Sequence, residues 1–124
     1  MNVLLDSDIV IEVLRARDAA VLSKWTALVK SSSAIFFSPV TAAEVWAGAR
    51  LNEHEAISRF FRPLTCAPAG HNTGQLAGEY LRQFSKSHHL DIADALIGAT
   101  AVQNQAALWT RNRKHYPMTT LTFY

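Results

Sequence analysis

The chain has 124 residues, of which 49% are hydrophobic and 18% charged, and its formal net charge is +2. This composition is typical of one compact domain, residues 1–124, and excludes a disordered or fibrous protein. The single Cys66 excludes an intramolecular disulfide and a thiolate zinc cluster. The first apolar run is too short for a signal-peptide core and no run could span a membrane, so we expect a cytoplasmic protein with no membrane partner.

The first unit of the chain is an apolar run that leads into two acids. Residues 3–5 predict a buried strand, and the segment after Asp6 predicts a helix that ends near residues 15–17. A carboxylate at the carboxyl end of a buried strand lies where ligands bind in open α/β sheets. Asp6 is therefore the first candidate site residue. The alternative for Asp6, and equally for Asp8, is a plain capping role at the start of the helix.

The second unit repeats this arrangement. A crossover helix is predicted over residues 18–30, and a second buried strand over residues 34–38. Thr41 is predicted to cap a helix over residues 42–51, with Glu44 three residues later at the spacing of a capping box. Glu44 is thus either a capping residue or a second site acid, because it follows its strand by one helical turn.

The middle of the chain carries no strong site signal. An amphipathic helix is predicted over residues 52–62, an edge strand within residues 63–68 and a long helix over residues 71–87. His88 and His89 are adjacent, and adjacent side chains point apart on a helix or strand, so we expect them to face solvent rather than to form a metal pair.

The last helix is almost entirely apolar, which predicts a central helix buried on most of its circumference. It runs over residues 92–102, with Asp91 as its N-cap and Asp94 in its first turn. A buried carboxylate needs a proton, hydrogen bonds or a cation, so Asp94 is a candidate site residue. A buried strand over residues 106–109 and a final edge strand over residues 121–123 complete the pattern.

Polar residues cluster after the strand at 106–109. Thr110 and Asn112 could orient ligands or a water molecule, and Arg111, Arg113 and Lys114 could bind phosphates.

The alternation of strands and helices predicts an α/β fold, a parallel sheet of four to five strands with helices on both faces. Right-handed crossovers would bring all strand ends to one edge, where Asp6, Glu44 and Asp94 could meet. Close carboxylates favour a hard divalent cation, Mg²⁺ or Mn²⁺. Such an ion suits phosphodiester hydrolysis. We expect six acids to converge: Asp6, Asp8, Glu12, Glu44, Asp91 and Asp94.

Four ordered segments resemble the motifs of PIN-domain proteins, in particular the VapC toxins. These segments are Leu4–Ile11, Ser38–Gly48, Ala93–Ala101 and Thr110–Tyr116. The resemblance implies a Rossmann-like three-layer sandwich and a Mg²⁺- or Mn²⁺-dependent endoribonuclease of a type II toxin–antitoxin pair. Its partners would be a tRNA or mRNA substrate, a VapB-type antitoxin and a second copy of the chain in a homodimer.

The resemblance also assigns roles to residues. Asp6, Glu44 and Asp94 match the metal-binding acids of the family, which would make them the catalytic residues. Many members carry a fourth acid in the last motif; His115 stands at that place here, while Asn112 is retained. Asp8 or Asp91 is then the further candidate metal ligand that could compensate for the missing acid.

Two other functions fit parts of the sequence. The start of the chain resembles haloacid-dehalogenase-like phosphatases, with Asp6 as nucleophile, Asp8 as general acid, Asp91 and Asp94 as metal acids and Lys86 as the required lysine. That interpretation leaves Glu44 without a role. A non-catalytic module, whose acidic pocket docks an arginine-bearing partner, is the second alternative.

Overall fold

The computed structural model describes residues Met1–Tyr124 and contains four strands and six α-helices. The strands are β1 (Asn2–Leu5), β2 (Ala34–Phe37), β3 (Thr65–Cys66) and β4 (Ala107–Trp109). The α-helices are α1 (Ser7–Arg15), α2 (Ala19–Lys30), α3 (Pro39–Ala47), α4 (His54–Phe61), α5 (His71–His88) and α6 (Ile92–Gln103). No helix is both long enough and apolar enough to cross a membrane.

The strands form one parallel sheet in the order β3-β2-β1-β4. In β1, Leu5 pairs with Phe37 of β2 on one side and with Trp109 of β4 on the other. Because all strands run the same way, the residues that follow their carboxyl ends share one edge of the sheet. This arrangement confirms the predicted α/β fold.

Side-chain alternation along β1 divides the interior into two layers. Leu4 packs in a core that includes residues of α5 and α6, whereas Val3 and Leu5 pack in a core that includes residues of α1 to α4. Alternate residues of a strand point to opposite faces, so one short strand supports helices on both sides. The result is a three-layer sandwich with β1 at its centre.

Helix α6 is buried on most of its circumference, as predicted. A close approach to the C-terminal segment explains why Gly98 is a glycine. A Cβ at that position would lie 2.7 Å from Met118 Cε and 3.7 Å from Tyr116 Cδ1. The missing side chain lets the segment that carries Tyr116 lie directly against α6.

The predicted start and end of the third helix are wrong. Helix α3 begins at Pro39, and its N-cap is Ser38, whose Oγ accepts a hydrogen bond from the Thr41 backbone N–H at 3.0 Å. Proline suits the first helical position because its fixed φ matches the helix and its missing N–H is not needed there. Thr41 lies inside the helix and is fully buried. The helix ends at Ala47.

The predicted final edge strand is also wrong. Phe123 forms one isolated parallel bridge with Leu108 and belongs to no strand. The short edge strand predicted within residues 63–68 is present as β3.

Candidate active site

Asp6 lies at the end of β1, is only 6% exposed and is surrounded by hydrogen-bond donors. Its Oδ1 accepts a hydrogen bond from the Ser7 backbone N–H at 2.8 Å. Its Oδ2 accepts two more, from Thr110 Oγ1 and from the Tyr116 hydroxyl, each at 2.8 Å. Three donors from the start of α1, the end of β4 and the C-terminal segment therefore fix this carboxylate.

Tyr116 connects Asp6 to Asp94. Its hydroxyl lies 2.8 Å from Asp6 Oδ2 and 3.3 Å from Asp94 Oδ1, so both carboxylates compete for one proton. Burial, followed by the charges of Asp6 and Asp94, raises the pKa of the Tyr116 phenol. The hydroxyl therefore stays a neutral donor between two acids.

Ser7 makes the equivalent connection on the other side of Asp6. Its Oγ donates to Glu44 Oε1 at 3.1 Å and lies 3.5 Å from Asp6 Oδ1. The hydroxyls of Ser7 and Tyr116 thus connect the three acids predicted from the sequence, with Asp6 between Glu44 and Asp94.

The acids repel one another. Burial, then the charges of Asp91 and Asp6, raises the pKa of Asp94 to about 6. The pKa of Glu44 is also raised, first by burial and then by Asp6 and Asp91. Asp91 caps α6 by accepting a hydrogen bond from the Asp94 backbone N–H at 2.8 Å, so it adds its charge one helical turn away. Such a site favours protons or cations.

Asp8 and Glu12 face a different partner, so the predicted convergence of all six acids is only partly correct. The Arg111 guanidinium lies 3.3 Å from Glu12, 3.3 Å from Asp18 and 3.9 Å from Asp8. Burial is the main cause that raises the pKa of Asp8, and its Oδ1 is buried without a hydrogen-bond partner. The acids thus form one group around Asp6 and a second around Arg111.

The segment after β4 supplies the remaining predicted residues. Thr110 donates to Asp6, and Asn112 Nδ2 donates to Asp8 Oδ2 at 3.3 Å. Arg113 contacts the carbonyl oxygen of Tyr124 at 3.3 Å, whereas Lys114 is exposed and takes part in no ion pair.

His115 stands at the position where the sequence resemblance expects a fourth acid. Its Nδ1 lies 3.8 Å from Asp94 Oδ2.

Sequence reasoning missed Ser7 and Tyr116 as site residues. Each side chain carries a hydroxyl and follows a residue that the sequence analysis singles out. Its role depends on a distant partner, which is Glu44 for Ser7 and Asp6 for Tyr116. A polar aromatic inside the last motif, immediately before Pro117, is the only signal in the sequence that could have indicated Tyr116.

The donor set suits a hard cation, although the acids do not converge on one point in the structure. No group of three His, Cys, Asp or Glu side chains is placed to hold a metal ion directly. The hydroxyls of Ser7 and Tyr116 lie between the acids instead. Mg²⁺ keeps several water ligands and is usually bound by one or two carboxylates, so a direct cluster of three is not required.

Comparison with known proteins identifies the family. The profile of the PIN domain matches residues 3–119. The chain belongs to the PIN domain family. Ribonuclease VapC10 of Mycobacterium tuberculosis is 32% identical over 117 residues, which cover 94% of this chain and 86% of that protein. Ribonuclease VapC19 of the same organism is 31% identical over 116 residues, 93% of this chain and 92% of the relative.

Solved structures share the PIN fold over nearly the whole chain. VapBC2 from Rickettsia felis, bound to a DNA fragment from its promoter, gives a TM-score of 0.82 at 22% identity and covers 100% of this chain and 98% of its own. FitAcB from Neisseria gonorrhoeae gives a TM-score of 0.75 at 21% identity, and the match covers 98% of this chain and 96% of the FitAcB chain. A toxin–antitoxin complex from Klebsiella pneumoniae gives a TM-score of 0.74 at 23% identity, and the match covers 97% of this chain and 95% of the matched chain.

The raised pKa of Asp94 predicts a stability effect that depends on pH. The folded-state pKa of about 6 exceeds the ordinary 3.8, so the ionised carboxylate destabilises the metal-free protein above pH 6, and this cost disappears below about pH 4. Asp94→Asn should therefore raise the free energy of unfolding at pH 7.5 by up to about 3 kcal/mol. At pH 4 it should change little.

Urea unfolding in EDTA at both pH values measures this difference. Glu79→Gln, at an exposed acid of α5, is the matched control and should have no such effect. An Asp94→Asn protein that is less stable than the wild type at pH 7.5 would contradict the electrostatic account.

Proposed function

We propose that this chain is an endoribonuclease that depends on a divalent metal and acts as the toxin of a toxin–antitoxin pair, with residues 1–124 as one catalytic domain. The observation that carries the proposal is the joining of Asp6, Glu44 and Asp94 at one edge of a PIN-domain sheet. Two relatives that cover most of the chain are named ribonucleases, which supports RNA as the substrate. An RNA substrate would place the activity in the cytoplasm.

Asp6, Glu44 and Asp94 would hold Mg²⁺ or Mn²⁺, directly or through water ligands, because all three supply only oxygen donors. Asp91 would add negative charge from the N-cap of α6, and Asp8 from the first turn of α1. When bound, the ion would supply an activated water and neutralise charge on the phosphoryl oxygen.

The surrounding side chains would keep the acids in place. Ser7, Thr110 and Tyr116 orient Asp6 through the hydrogen bonds described above, and partners of this kind strengthen metal sites in proteins. Asn112 would support Asp8 in the same way.

RNA phosphates would meet the basic segment that follows β4. Lys114 is the best placed of the three predicted basic residues, because it is exposed and no carboxylate neutralises it. Arg111 already pairs with three acids, so it would contribute mainly by holding Asp8. Arg113 would contribute its remaining N–H groups.

An apolar groove beside Glu44 would receive the antitoxin. It has a volume of about 320 Å³ and lies between α1, α3 and α4, with Ile11, Leu14, Val45 and Ile57 among its lining residues. Structures that share this fold include toxin–antitoxin complexes. An apolar segment of a VapB-type protein in this groove would lie next to Glu44, one of the three proposed catalytic acids. A homodimer remains a prediction from the family resemblance.

The two alternative functions gain no support from the structure. The phosphatase alternative gives Glu44 no role, whereas the Ser7 hydroxyl joins Glu44 to the end of β1 beside Asp6. A docking module would explain the acidic edge but not the hydroxyl network that fixes Asp6.

The nuclease proposal predicts that metal and Asp94 are both required for RNA cleavage. Wild-type protein free of antitoxin should cut a mixed pool of tRNA and mRNA in Mn²⁺ and not in EDTA. Asp94→Asn should lower the cleavage rate by about a hundredfold or more, because one ligand of the ion and its charge are lost. Gel analysis of the pool also maps the cut sites.

Glu79→Gln is the control for loss of an acid outside the site and should retain full activity. Cleavage that survives both EDTA and the Asp94→Asn substitution would overturn the proposal. Absence of any metal-dependent cleavage would favour the docking module.

The proposed RNA contact of Lys114 predicts an electrostatic signature. Lys114→Ala should weaken RNA binding several-fold at low salt and reduce the slope of log K against log salt by about one, because one phosphate contact is lost. Fluorescence anisotropy across a salt series measures both quantities. Lys30→Ala, at an exposed lysine at the end of α2, should change neither. Equal slopes for the wild type and Lys114→Ala would exclude the contact.

A further inference from the structure

A second cavity, of about 160 Å³, opens beside Asp94. We name it the histidine pocket, because three of the five histidines of the chain line it. Its lining residues are His88, His89, Leu90, Asp91, Asp94 and His115. They come from the end of α5, the start of α6 and the segment after β4, so the fold brings them together from distant parts of the sequence.

His88 is exposed, yet its ring is held in place. Phe84 packs against it edge to face, with ring centroids 5.6 Å apart and an interplanar angle of 81°. Ser87 Oγ lies 2.7 Å from its Nδ1. A solvent-facing side chain normally keeps its rotamer freedom, so this imidazole offers a planar surface that loses little entropy when a ligand stacks on it.

His89 adopts a backbone conformation that suits glycine better. It ends α5 with φ 52° and ψ 36°, in the left-handed region. Glycine usually fills this C-terminal position because a Cβ is sterically unfavourable there.

The pocket adjoins the proposed catalytic acids through Asp94. One oxygen of this carboxylate accepts a hydrogen bond from Tyr116, and the other lies 3.8 Å from His115 Nδ1 in the pocket. Three imidazoles and one leucine side chain make up most of the lining, which suits an organic ligand with a planar ring. A planar base could stack on an imidazole of the pocket. The proposed catalytic acids would then lie beside the sugar and phosphate of the same nucleotide.

We propose that the histidine pocket binds one unstacked nucleotide of the RNA substrate, the nucleotide next to the bond that is cut. This inference rests on the proposed nuclease function and adds the position of a substrate subsite. Proteins that read single-stranded RNA stack splayed bases on aromatic side chains, histidine among them. The volume of the pocket, about 160 Å³, suits a single base, so the subsite holds the base at one position beside the cut bond.

His89→Gly separates this role from a structural one. Glycine removes the imidazole and also relieves the left-handed conformation, so the variant should have a higher melting temperature than the wild type. At the same time it should bind RNA about tenfold more weakly, because one stacking surface is lost. Loss of binding in a protein that has become more stable cannot result from unfolding.

Gln105→Gly is the matched control. Gln105 also has a left-handed backbone, with φ 52°, and is exposed beyond the end of α6, away from the pocket. The control should gain stability and leave RNA binding unchanged. His88→Ala is a second test variant that leaves the backbone conformation at residue 89 untouched.

The probe is a single-stranded RNA oligonucleotide that carries the cut sequence mapped in the nuclease assay, with its affinity measured by fluorescence anisotropy in EDTA. Weaker binding by His89→Gly or His88→Ala, with Gln105→Gly unchanged, supports the subsite. Unchanged affinity in both test variants, together with metal-dependent cleavage by the wild type, overturns the subsite alone. A wild type that cuts no RNA overturns the proposed function itself.

Discussion

The buried carboxylate of Asp6 is the constraint on which the rest of the site depends. It lies at the end of the central strand, where water cannot solvate it, and its charge must be compensated by neighbouring groups. The Ser7 backbone N–H and the hydroxyls of Thr110 and Tyr116 provide that compensation. The two hydroxyl donors lie 104 and 110 residues from Asp6 in the chain, so the site forms only when the C-terminal segment packs against the end of β1.

The parallel sheet explains why the acids lie at one edge. β1 lies between β2 and β4, so the segments that follow these three strands share one edge. Helix α6 contributes Asp94 from its first turn, and the absence of a side chain at Gly98 lets the segment of Tyr116 approach α6. The hydroxyls of Ser7 and Tyr116 offset only part of the repulsion between the acids, because the pKa values of Glu44 and Asp94 stay raised, and the site still favours a proton or a cation.

Much of this architecture can be predicted from the sequence, because local patterns encode it. Apolar runs indicate the strands, and the acids that follow them, Asp6 and Glu44, are the predicted site residues. The apolar run after Asp91 indicates the central helix. Contacts between distant residues could not be predicted: the bridge from Tyr116 to Asp6, the ion pairs of Arg111 and the histidine pocket all arise from tertiary packing. The start of α3 was mispredicted because two capping candidates, Ser38 and Thr41, stand three residues apart.

The central claim is that the acids around Asp6 bind a divalent ion. The most direct test is a crystal of the wild-type protein soaked in Mn²⁺ at pH 7.5, above the pKa of about 6 for Asp94. The anomalous difference map should show a peak within coordination distance of an Asp6 or Asp94 oxygen, with Glu44 bound directly or through water. A map without a peak at this edge, from crystals that bind Mn²⁺ elsewhere or not at all, would contradict the account.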